Sequence, residues 1–124
     1  MKNKHIFLII IVSILFICGS CKEVHYPGIP INLTVEKQSG GCLLKWEPAK
    51  EDVSANEDPN LFYYIYKSIN IHGKPRIIEK TAKGKTYFLD RSVKKGEVYS
   101  YYLIASWKGY ISEPSLPITV DYTN

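Results

Sequence analysis

Val98-Tyr99-Ser100-Tyr101-Tyr102-Leu103-Ile104-Ala105-Ser106-Trp107 is the stretch on which the fold turns. Aromatic and β-branched or aliphatic side chains fill it, and such residues fit a pleated surface. A strand's side chains alternate between faces, so Tyr101, Leu103 and Ala105 share one face while Tyr102 and Ile104 share the other. Lys94 to Gly96 reads as a corner before the run, and Lys108 with Gly109 as a tight turn after it.

The same period extends outward in both directions. Ile31, Leu33 and Val35 alternate with Asn32, Thr34 and Glu36, which predicts a first strand with one buried face. Ser39-Gly40-Gly41 is a turn, after which Cys42, Leu44 and Trp46 alternate with Leu43, Lys45 and Glu47, so the first two strands form a hairpin. Pro48 ends the second strand, and Ala49 to Asn60 is a polar loop. Leu61 to Ser68 is a third strand, whose inward set by parity alone is either Leu61, Tyr63 and Ile65 or Phe62, Tyr64 and Tyr66. Pro75 to Lys80 suits a sheet edge, because proline cannot donate to a ladder. Thr86 to Leu89 and Ile118 to Tyr122 complete a set of seven strands. No segment beyond the N-terminal leader shows helical periodicity, and the even spacing of strands and turns predicts an all-β, two-sheet antiparallel sandwich.

The first twenty residues differ from the rest. Lys2, Lys4 and His5 precede an apolar run of 12 residues, Ile6 to Ile17, interrupted only by Ser13. A membrane-crossing helix needs about 20 apolar residues, so the run reads as an export signal, residues 1–20. Gly19, Ser20 and Cys21 follow it and resemble the lipobox of bacterial lipoproteins, although Cys18 occupies the place where such sequences usually carry leucine. The resemblance implies cleavage before Cys21 and acylation of its thiol; the other reading is an ordinary secretory signal cut after Gly19 or Ser20. Residues 21–29 then form the lipidated cysteine and a short tether containing Pro27 and Gly28, and residues 30–124 form the domain.

Cysteine usage limits what holds that domain together. Cys18 leaves with the signal and Cys21 carries lipid, so Cys42 is left alone and no disulfide forms inside the domain. Loss of Lys2 and Lys4 lowers the formal charge from +4 to +2, and the remaining lysines alternate along the chain with acids, which does not indicate nucleic acid.

From about Pro30 to Val120 the chain resembles a fibronectin type III domain. The likeness rests on Pro30, Leu33 and Val35, on Trp46 shortly before Pro48, and on Tyr63 with Ile65. It is densest from Thr86-Tyr87-Phe88-Leu89-Asp90 through Val93, Gly96, Tyr99, Tyr101, Leu103 and Ala105 to Ser112, Pro114 and Ser115. The resemblance implies that Leu61, Tyr63 and Ile65 point inward, that Trp46 is a core residue, and that Tyr99 is the tyrosine corner, its ring buried and its hydroxyl bonded to nearby backbone. It also implies that the third and sixth strands are neighbours.

Phe62, Tyr64, Tyr66, Tyr102 and Ile104 then share an outer sheet face, the candidate partner-binding surface. No catalytic residues are expected: His25 and His72 lie in the tether and a turn, Cys42 alternates with core residues, and no cofactor motif is present. Asp52, Ser54, Asn56 and Asp58 in the acidic loop 51–58 are spaced like the first ligands of a calcium loop, but Glu57 and Tyr63 stand where glycine and glutamate belong, so no metal site is assigned. Asn32-Leu33-Thr34 matches a glycosylation triplet inside a strand and receives no role. The expectation is a non-catalytic lipoprotein of the bacterial envelope. It is held to a membrane by its lipid, in the outer membrane facing the periplasm or the surface, and binds a protein or glycan; the alternative is a structural or assembly subunit of an envelope complex.

Overall fold

The computed structural model describes residues 26–50, 52, 60–70, 72–82 and 84–124. The leader, Cys21, His25 and all of loop 51–58 except Asp52 lie outside the described residues.

Eight strands follow in order: β1 (Ile31–Gln38), β2 (Gly41–Glu47), β3 (Leu61–Ile69), β4 (Arg76–Lys80), β5 (Tyr87–Asp90), β6 (Val98–Trp107), β7 (Tyr110–Ile111) and β8 (Ile118–Asp121). One sheet has the order β1-β2-β5; the other runs β4-β3-β6, with β7 and β8 both along the far side of β6. Every pairing is antiparallel. This is the two-sheet sandwich that the alternation predicts.

The core lies between the sheets. Cys42, Leu44 and Trp46 of β2 face Leu61, Tyr63 and Ile65 of β3, Tyr99, Tyr101, Leu103 and Ala105 of β6, and Val120 of β8. The parity of β3 is therefore settled as the resemblance implied. With each large apolar side chain contributing about 1.5–3 kcal/mol on full burial, this layer is what replaces a disulfide.

Two backbone positions explain how the strands come together. At Gly41, φ is 146° and an added Cβ would lie 2.2 Å from the Asp90 carbonyl oxygen, so only glycine lets the start of β2 lie against the end of β5. At the β6–β7 turn, Lys108 and Gly109 have φ of 48° and 86°, the pair of positive values that a two-residue hairpin needs to match strand twist.

That turn accounts for a difference in strand number within the expected sandwich: seven strands were expected, and among the described residues β7 makes an eighth. Two residues are too few to show a period. Thr86 falls outside β5 and instead offers its carbonyl to the Trp46 N–H at 3.0 Å. Within β1 the register shifts between Ile31 and Thr34, where Asn32 takes φ 55° and its amide donates to Glu47 Oε2 at 2.7 Å.

Residues 26–29, the end of the expected tether, make contacts with the strands and loops that follow. Pro27 and Pro30 are buried, the Gly28 N–H donates to Asp52 Oδ2 at 2.6 Å, and the Tyr26 ring meets the Tyr110 ring edge-on at 5.4 Å. Proline and glycine mark a bend here, and the bend is packed.

Candidate functional site

The outer face of the larger sheet is built by the pairing of β3 with β6. Tyr66 lies directly opposite Tyr102, Tyr64 opposite Ile104, and Phe62 opposite Ser106. Cross-strand partners on one face are close enough for their side chains to touch. The Tyr66 and Tyr102 rings accordingly stack, with centroids 4.7 Å apart and planes 6° from parallel. Phe62 and Tyr64 meet edge-on at 5.2 Å, and Lys80 of β4 sets its ammonium 4.1 Å above the Phe62 ring.

All five residues singled out in the sequence share this face, and all five are half-buried. The rings cover one another's flanks and together form a platform. Burial, and to a smaller extent the neighbouring Tyr66, push the Tyr102 phenol up, so its hydroxyl stays protonated and can both donate and accept. Flat π-faces fringed by hydroxyls can receive a sugar ring or a planar or aliphatic side chain.

Trp46 and Tyr99 lie inside the sandwich. Trp46 packs edge-on against Tyr63 at 5.5 Å. The Tyr99 hydroxyl accepts the Lys94 N–H at 2.7 Å, which fastens the β5–β6 corner to the start of β6.

Sequence reasoning missed a buried polar cluster at the end of the core beyond Ile65. Lys67 Nζ lies 2.6 Å from Asp90 Oδ2 and donates to the Ser92 carbonyl at 2.9 Å, while the Tyr101 hydroxyl donates to the same Asp90 oxygen at 2.6 Å. The Ser92 N–H satisfies Asp90 Oδ1 at 2.9 Å, and the Tyr99 ring stands 4.5 Å below the ammonium. Burial opposes the charge on Asp90, but the hydrogen bonds from Lys67, Tyr101 and Ser92 outweigh it and hold the carboxyl below the usual carboxylate range. Burial and the bond to Asp90 push the Tyr101 phenol far up. Every partner in the cluster is spoken for, which is the pattern of a structural network.

Among the described residues no group of three histidine, cysteine or acidic side chains is placed to hold a metal. Of the four calcium-like positions only Asp52 is described, and its carboxylate is buried and engaged by Gly28. His72 sits exposed in the β3–β4 turn.

The sequence matches no protein-family model and no curated protein. Solved structures do match it by shape. The twitchin kinase region from C. elegans is 23% identical with a TM-score of 0.66 over 79% of this chain, which spans 17% of that one. An Fn3-like protein from Clostridium thermocellum is 22% identical with a TM-score of 0.61, covering 81% of this chain and 97% of its own. A structure described as a myokine is 16% identical with a TM-score of 0.57, over 79% of this chain and 99% of that one. At these identities the likeness speaks to architecture, and together with the strand order it assigns the chain the fold of a fibronectin type III domain.

Proposed function

We infer that the protein is a non-catalytic binding module, held at a bacterial envelope membrane by lipid on Cys21, that presents the β3–β6 platform to a protein or glycan partner. The observation that carries this reading is the parallel stack of Tyr66 on Tyr102, extended along β3 by Tyr64 and Phe62. A row of aromatic rings on an outer sheet face is costly to leave in water and productive when covered. Assembly through a free sheet edge is the weaker reading, because the edge strand β4 carries Arg76, Glu79 and Lys80, charges that discourage addition of another strand.

The test is cross-linking capture from intact cells with the wild type and with a Y64S/Y66S/Y102S variant. The binding reading expects partners captured by the wild type to disappear with the variant while its melting temperature shows the fold intact. An unchanged capture profile on an intact fold would overturn it. Periodate treatment of the cells separates the partners, since it destroys a glycan and leaves a protein.

A further inference from the structure

Exposed apolar side chains are not spread evenly over this domain. Among the described residues eight large ones stand out from the surface, and five of them, Tyr26, Ile29, Tyr110, Ile111 and Leu116, lie along one margin. Leu116 is the extreme case at 88% exposed. The margin is continuous: Tyr26 meets Tyr110 edge-on, a shallow groove joins Tyr26 and Ile29 to Ile111, and a second of about 580 Å³ joins Ile29 to Leu116. It follows the side of β6 away from β3, where Ile111 pairs with Ser106 and the Ser115 N–H donates to the Leu103 carbonyl at 2.9 Å.

The place of this strip in the chain points to what covers it. Tyr26 is packed on Tyr110, and only five residue steps separate it from Cys21. Fully extended, those steps reach about 17 Å, so an acyl chain on Cys21 keeps the margin within reach of the headgroup layer. Tyrosine mixed with isoleucine and leucine is the composition favoured at the boundary between headgroups and acyl chains. Lys108 and Glu113 flank the strip and leave it close to neutral, which suits a lipid interface better than a charged partner.

We propose that the margin formed by Tyr26, Ile29, Tyr110, Ile111 and Leu116 docks on the lipid bilayer, so that the domain lies against the membrane on one edge. The proposal rests on the anchoring of Cys21, and it orients the protein. The platform of Tyr66 and Tyr102 is then carried on a sheet that stands up from the bilayer instead of lying on it.

The experiment uses the full chain reconstituted into phosphatidylethanolamine and phosphatidylglycerol vesicles containing lipids brominated on the acyl chain. A Leu116→Trp variant is compared with an Ile77→Trp variant on β4, the opposite edge of the same sheet, each read as its difference from the wild type. Docking expects Leu116→Trp emission to shift to shorter wavelength and to be quenched by at least roughly twofold more than that of Ile77→Trp. Equal quenching of the two positions overturns it. The mass of the N-terminal peptide reports separately whether Cys21 is acylated. An acylated chain with equal quenching leaves the anchor standing and removes the docking, whereas an unmodified Cys21 with selective quenching does the reverse.

Discussion

Lys67 and Asp90 form an ion pair at 2.6 Å with both side chains only 6% exposed, in a domain that has no disulfide to hold it. A buried pair adds little over a well-packed apolar pair, yet breaking one partner away strands a charge. The pair joins β3 of the larger sheet to the end of β5 in the smaller, and so it ties the sandwich across its open side.

Lys67→Met keeps the packing stem and removes the charge, and urea unfolding is expected to show a loss of about 3–5 kcal/mol. Lys67→Met with Asp90→Asn should recover part of that loss, because the stranded carboxylate goes with it. A double variant no better than the single one would show that the ammonium's contacts to Ser92 and Tyr99 carry the effect.

Acid should act through the same carboxylate. Asp90 is depressed in the folded state, so its contribution is fully present above the ordinary carboxyl value of about 3.9 and fades as pH falls through its lower folded value. The melting temperature is expected to drop below about pH 4, with a shallower drop in Asp90→Asn measured over the same series.

Tyr99→Phe removes the acceptor of the Lys94 N–H while keeping the ring. The expected cost is about 1 kcal/mol, the net worth of one hydrogen bond, read from the shift in urea midpoint at unchanged slope.

Cys42 should be inert until the protein unfolds. It is wholly buried, and burial pushes its thiol up, with the Tyr122 and Tyr101 hydroxyls offsetting part of the rise. Maleimide labelling mapped to the Cys42 peptide is expected to track the fraction unfolded in urea; labelling in native buffer at the rate of a free thiol would contradict the packing.

Much of the fold was legible because strands write their faces into the chain with a period of two. β6 runs from Val98 to Trp107 as its alternation predicts, and the five outer-face residues meet because parity and neighbouring strands place them together. The ion pair was half legible. Lys67 has the same parity as Leu61, Tyr63 and Ile65, which marks it as inward, but its partner is 23 residues away on a strand of the other sheet. Contacts of that kind follow from the fold and leave no local pattern. The docking of Gly28 on Asp52, across 24 residues, was hidden for the same reason.

That docking gives the domain a mechanical property. Among the described residues, a pull arriving from the N-terminal side meets Tyr26 against Tyr110 and then Gly28 against Asp52 before any load reaches β1. Peeling residues 26–30 would pay out about 17 Å of chain while all eight strands stay paired, so the segment is a strain relief that yields ahead of the sandwich.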